Sequence, residues 1–377
     1  MPLVGLSFEL THVTDLSPLA GMQLTFLDCH RTRVSDIGVL RGMPLTVFNT
    51  QLTQIVEYSP LQGTPLNEVA FDFHPQRDIE LLRSITTLTT INQQTAADFW
   101  KDVAEYSDAA QTLNDPVFQQ WLKDVAARTA EEQVVAVAKK LQELNPSFEG
   151  KVEHTIDVGV VTSLKFVSDK VWNIAPVRAL SGLKTFDCSG SKLNGREGKV
   201  ADLSPLTGLP LTDLRCVGTL VFDLSPLKGM PLNSLVFGSG PAFDLSPLQG
   251  MPLKALNFSL TPLADLGPIK VLSLTHLVID GTHVTDLSPL RGMPLTQLSL
   301  REVPVSDLTP LAGMPLESLG CQSTNVSDLT QLKDLPLKYL WLDFQPTRDT
   351  ALLRAMPTLE YINDKPVAEF WKDLEEK

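Results

Sequence analysis

The chain has 377 residues, 43% apolar and 20% charged, with 44 acidic against 31 basic side chains and a net charge of −13. That composition belongs to a folded protein with a large core, and the negative charge repels a polyphosphate backbone, so nucleic acid is excluded as a natural partner. No apolar run approaches the roughly 18 to 20 residues of a membrane span and no basic-then-apolar leader opens the chain, which implies no membrane partner and a cytoplasmic location.

Read from its start, the chain repeats itself. Asp15, Asp36, Glu57 and Asp78 recur every 21 residues, and Leu24-Thr-Phe-Leu27-Asp-Cys29 is followed by Thr32 and Val34. The full unit, clearest later in the chain, is Asp-Leu-Ser-Pro-Leu-x-Gly-Met-Pro-Leu followed by Leu-x-x-Leu-x-Leu-x-x-Thr-x-Val. This is the leucine-rich-repeat pattern, with Thr where Asn is commonest. Leu-x-Leu predicts a short strand whose apolar face turns inward, stacked in parallel on its neighbours at about 4.8 Å. Asp-Leu-Ser-Pro predicts a capped helical turn with Pro at its first position, and the following Gly a left-handed exit. A 21-residue unit leaves room for one short helical or 3₁₀ turn, which excludes a long-helix solenoid. Met1-Pro2-Leu3 coincides with the interior of a unit, so the chain starts in mid-repeat with four strands and an uncovered apolar edge. That start reads as truncated, and the edge invites self-association.

From Leu66 to Glu105 the repeat gives way to a helical pattern that returns 271 residues later, from Leu337 to Glu376. Asp72-Phe73, Arg77-Asp78 and Phe99-Trp100-Lys101-Asp102 become Asp343-Phe344, Arg348-Asp349 and Phe370-Trp371-Lys372-Asp373. The motif predicts a terminal cap, hence two separately capped arrays. Between them, Pro116 to Arg128 and Ala130 to Leu144 carry apolar residues at helical spacing, Asn145-Pro146 ends the second, and Lys151 to Asp157 predicts a strand. The predicted organisation is a truncated array with its cap over 1–106, a helical linker and N-terminal cap over 107–160, and a second array with a C-terminal helical cap over 161–377. Nine strands are expected in the second array, starting near 163, 184, 213, 234, 255, 276, 297, 318 and 339, with a loop insertion at Ser191 to Gly198. Here the Asp column runs from Asp202 to Asp328, and the frame reaches Asp349.

Chemistry is sparse. No Gly-rich loop opens a strand, and no His-Arg-Asp or Asp-Phe-Gly is present, so no catalytic residue is assigned. Gly238-Ser-Gly240 is a lone two-glycine match, and the six histidines show no ligand spacing, so no cofactor or metal is expected. The Asp column offers one carboxylate per rung, where calcium wants six to eight oxygens; turn capping explains it better. Cys29, Cys216 and Cys321 occupy the second Leu of Leu-x-Leu, and Cys188 falls there with one extra residue in its repeat, so all four are read as core thiols, with Cys188 and Cys216 on adjacent strands. What remains is the outward face of the strands, the usual docking surface of a solenoid. On it Arg215, His276, Asp280, Gln297, Arg301, Tyr339, Trp341 and Asp343 are the candidate protein-binding residues, because aromatic side chains beside Arg have the composition of an interface anchor. The alternative for Trp341 is burial against the cap beside Trp371.

These features resemble bacterial leucine-rich-repeat proteins of the internalin-like short-repeat type. The Leu-Ser-Pro-Leu-x-Gly-Met-Pro-Leu wording and the Asn363 to Lys372 tail look like the repeat regions of planctomycete proteins, which often follow a Ser/Thr protein kinase domain. The resemblance implies an α/β solenoid with parallel strands on the concave face, short helical or 3₁₀ turns on the convex face, and helical caps. It also implies a non-catalytic protein-protein interaction scaffold without cofactors. The alternative is the sensor or docking region of a kinase whose catalytic domain lies upstream of this chain.

Overall fold

Each 21-residue unit carries the chain once around a flat coil, so equivalent residues of successive units land side by side. The computed structural model, which describes residues 3–106, 108–191, 197–242 and 244–375, shows this as two parallel ladders. The first contains β1 (Gly5–Ser7), β2 (Phe26–Asp28), β3 (Val47–Asn49) and β4 (Glu68–Ala70), continued by the hairpin strands β5 (Thr90–Ile91) and β6 (Gln94–Thr95). Helices α1 (Pro75–Ser84) and α2 (Ala96–Val103) flank that hairpin. Then come α3 (Ala109–Asn114), α4 (Pro116–Ala126) and α5 (Ala130–Leu144).

The second ladder opens with the antiparallel pair β7 (Glu153–Asp157) and β8 (Val160–Lys165). It continues in parallel through β9 (Thr185–Asp187), β10 (Asp213–Arg215), β11 (Ser234–Val236), β12 (Ala255–Asn257), β13 (His276–Val278), β14 (Gln297–Ser299), β15 (Ser318–Gly320) and β16 (Tyr339–Trp341). It ends in α6 (Pro346–Arg354), the hairpin β17 (Tyr361–Ile362) and β18 (Lys365–Pro366), and α7 (Val367–Glu375). The predicted leucine-rich-repeat solenoid is therefore the observed fold, with strands where Leu-x-Leu placed them. Most of the loop insertion (192–196), the start at Met1-Pro2 and the final Glu376-Lys377 lie outside the described residues.

From β1 to β4 and from β10 to β16 the register holds a 21-residue step, with His276, Leu277 and Val278 opposite Gln297, Leu298 and Ser299. Inward residues stack into a dry column, Leu277, Leu298, Leu319 and Leu340, each at most 2% exposed. The other regularly spaced positions in the unit close its turns. The Asp286 carboxylate accepts the Ser288 amide at 2.8 Å and its hydroxyl at 2.7 Å, and the same pairing recurs at Asp15, Asp202, Asp223 and Asp244. Hydrogen bonds from Ser288 hold the Asp286 carboxyl below the usual carboxylate range. The buried Thr32, Thr219, Thr261 and Thr282 donate to carbonyls three residues back, at 2.6 to 3.0 Å. A hydroxyl thus ties off the turn where Asn commonly does. Gly exits are left-handed as expected, with φ of +77° at Gly21 and Gly292.

Two features differ from expectation, and a third is one the sequence left open. The frame does reach Asp78 and Asp349, but these sit inside α1 and α6 rather than capping exposed turns. Both are fully buried; each accepts a backbone amide four residues back, from His74 and Gln345, at 2.7 Å, and each pairs with the preceding Arg. Helix α3 was not anticipated, since it is a six-residue element set by the Asp108 side chain accepting the Gln111 amide. Finally, the two ladders touch. Arg33 donates to the His283 carbonyl, Gln54 donates to the Pro262 carbonyl at 3.2 Å, and Trp172, from the turn after β8, is buried in the first core against Tyr106. Near the start of the first ladder, Leu3, Val4 and Leu10 are exposed.

Candidate functional site

Because the rungs are in register, outward side chains form three columns on the strand face. The first residues of the strands make one column, with His276, Gln297, Ser318 and Tyr339 on successive rungs. The last residues make a second, with Val278, Ser299, Gly320 and Trp341. Residues two places beyond the strand make a third, which holds Asp280, Arg301 and Asp343. All eight candidates lie on this face, but they are not one cluster.

Arg215, Asp280 and Arg301 line a single hollow of about 400 Å³, whose floor is Val217, Val236, Asn257 and Val278. The Asp280 carboxylate accepts the Arg301 amide at 2.9 Å, and Arg215 lies 3.7 Å from Asp187. From the rim of this hollow Arg301 reaches over the Trp341 ring, its guanidinium carbon 5.4 Å from the centroid. The intervening rung carries Gly320, where a Cβ would stand 3.2 Å from Arg301 Nε and 3.1 Å from Ser299 Oγ. Glycine there leaves the space the guanidinium crosses.

Tyr339 stacks on Tyr361 of the cap hairpin at 5.3 Å and 14°, and lies 6.3 Å from Trp341 at 16°. Tyr339 and Tyr361 are each 37% exposed. Tyr361 was not singled out in the sequence, although its register opposite Tyr339 follows from its place in the cap. Trp341 is half-buried and donates from Nε1 to Asp364 at 2.8 Å, so it does meet the cap, but at the hairpin. Trp371 packs elsewhere, against Phe344, Phe370 and Arg354. His276 and Gln297 are neighbours in the first column, separated from Tyr339 by Ser318. Asp343 is engaged internally: its carboxylate accepts the Ser323 amide at 2.6 Å and its carbonyl accepts Arg348 at 3.0 Å.

The first ladder brings together residues that linear spacing did not reveal as neighbours. Asp28 ends β2, His30 follows it, and Glu9 is the counterpart of His30 one rung earlier; their ligand atoms lie within 4.8 Å of one another. His30 Nδ1 is 2.8 Å from Asp28 Oδ1, and Asn49 donates to the other Asp28 oxygen at 3.2 Å. The missed signal is the 21-residue column itself, which makes Glu9 and His30 adjacent. All four cysteines are buried and free, and burial pushes the Cys29 and Cys321 thiols up to about 12. Cys188 and Cys216 are in contact, Sγ to Sγ 3.3 Å, on the adjacent rungs expected for them.

No protein-family model matches the chain, and no curated protein is similar to it. Solved structures are. An internalin (inlF) from Listeria monocytogenes aligns with 96% of this chain and 86% of its own, at 16% identity and a TM-score of 0.44. Internalin C2 from the same organism aligns with 56% of this chain and 92% of its own, at 24% identity and a TM-score of 0.45. A leucine-rich-repeat protein of Leptospira interrogans covers 96% of this chain and 84% of its own, at 15% identity and a TM-score of 0.40. These likenesses concern fold alone; the 21-residue register of the two ladders makes this chain a leucine-rich-repeat solenoid in its own right.

Proposed function

We propose that the chain is a non-catalytic scaffold that binds a protein partner on the outward strand face of the second array, anchored at Arg301, Trp341 and Tyr339. The observation that carries this reading is the Arg301–Trp341 contact, continued by the stacked Tyr339 and Tyr361 rings. Aromatic rings held in place by their neighbours lose little conformational freedom on binding, and Arg beside them supplies charged donors; such residues dominate interface energetics. The hollow lined by Arg215, Asp280 and Arg301, with His276 and Gln297 alongside, continues the surface toward the middle of the array. A cytoplasmic setting belongs to the same proposal; no helix among the described residues is long and apolar enough to cross a membrane.

Affinity capture with matched variants tests it. A partner retained by the native chain should be lost at least tenfold with Trp341→Ala and with Gly320→Leu, which displaces Arg301, while melting temperatures stay near the native value. Equal retention by all variants would refute the anchor. The kinase-associated reading rests on the wording of residues 363–372; a catalytic domain encoded in frame upstream would support it, and a stop codon there would end it.

A further inference from the structure

We propose that the cleft between the two arrays, where Arg31 and His12 face His283, binds a small oxyanion bearing a carboxylate or phosphate group. The cleft has a volume of about 260 Å³, and it takes its walls from both ladders: Thr11, His12 and Arg31 from one, His283, Glu302 and Asn325 from the other. At about 30 Å³ per water, it could hold roughly eight waters or one small polyatomic anion.

Three observations point to a negative ligand. First, the chain is acidic overall, at −13, yet neither Arg31 nor Arg33 forms an ion pair among the described residues. Glu302 shares the cleft without pairing with Arg31. Second, one buried polar atom lining the cleft and one directly behind it lack partners. His283 is 8% exposed with its Nδ1 unpaired, and Arg33, which donates to the His283 carbonyl from Nη2, has its Nε buried and unpaired. Buried polar atoms are seldom left so: the Arg33 Nε–H is a donor that an anion would satisfy, and the Nδ1 lone pair of the neutral His283 ring would accept from a water bound with it. Third, the local field is positive: burial, then Arg33, Arg31 and His12, push the His283 imidazole down to about 4.

The position of Arg31 is also provided for. Gly281 has φ +65°, yet the equivalent places one repeat either side are Leu260 and Glu302 at φ +56° each, so the turn alone does not require glycine. A Cβ at Gly281 would stand 3.1 Å from Arg31 Nη2 and 2.6 Å from Leu260 Cδ2. Glycine there makes room both for the Leu260 side chain and for the guanidinium crossing from the other array.

The test uses the full chain at constant ionic strength, titrated separately with inorganic phosphate and with succinate. Heat of binding and the His283 imidazole NMR signal are the two readouts. Saturable heat from phosphate alone identifies a phosphate-bearing ligand, from succinate alone a carboxylate, and from both the shared oxyanion chemistry. In each supporting case Arg31→Gln weakens binding at least tenfold, as loss of a charge-assisted pair requires. Bound anion also raises the His283 pKa toward its ordinary value by offsetting Arg31, Arg33 and His12. No saturable heat from either probe, or equal binding by Arg31→Gln, overturns the proposal. Should Arg31→Gln fail to fold, the His283 signal of the native chain decides: a pKa unmoved by both anions overturns it as well.

Discussion

Leu300→Ala should lower the unfolding free energy by about 2 to 5 kcal/mol, whereas Ser299→Ala beside it should cost a small fraction of that. Leu300 is 0% exposed and follows β14 into the inward column, while Ser299 ends that strand on the outward face. Removing the Leu side chain takes three carbons from a stack that cannot collapse around the gap, because every rung is fixed by hydrogen bonds to its neighbours, such as the Leu300 amide to the Gly320 carbonyl at 2.7 Å. The cost therefore includes the cavity as well as the lost transfer energy. Denaturant melts of both variants measure it; equal losses would put the strands one residue out of phase.

Asp349→Ala should be nearly as damaging, at about 3 kcal/mol, the lower part of the range for breaking a buried ion pair. Asp349 is fully buried, accepts Arg348 on both oxygens, and accepts the Gln345 amide at the start of α6. One substitution removes both the counter-ion and the cap acceptor. The loss stays low in the range because the Arg348 side chain keeps 23% of its surface exposed and can rehydrate in part. Asp349→Asn, which keeps an acceptor for Gln345, should recover part of the difference. Melts that find both variants at native stability would show that the cap does not depend on this carboxylate.

The repeat was legible because three kinds of residue recur with one period and each does one thing locally. Leu faces inward, Asp caps and Gly turns left-handed. The Asp78 and Asp349 roles were not legible, since the same Asp in the same frame changes work once the chain becomes helical around it. Nor was the strain at the rim. Leu10, Arg31, Leu52, Leu260 and Glu302 all adopt φ between +54° and +59°, a conformation that disfavours L-residues. Only the stacked repeats, through bonds such as the Glu302 amide to the Gln322 carbonyl at 2.9 Å, hold them there. The period-two alternation of a strand put Arg215, His276, Gln297, Tyr339 and Trp341 on the strand face, and Asp280, Arg301 and Asp343 continue that face two residues beyond their strands. Their contacts were hidden, since Arg301 meets Trp341 two rungs away and only through the gap at Gly320. The contact between the arrays was equally hidden, because Arg33 and His283 are 250 residues apart and share no pattern.

Whether a partner docks on the outward strand face is most directly measured by site-specific photo-crosslinking, with benzoylphenylalanine placed either at Tyr339 or at Arg291, beside the 3₁₀ turn Ser288–Leu290 on the opposite side of the coil. A partner captured at 339 and absent at 291, with Trp341→Ala abolishing the crosslink, is the result predicted. Crosslinking at 291 with none at 339 would contradict it.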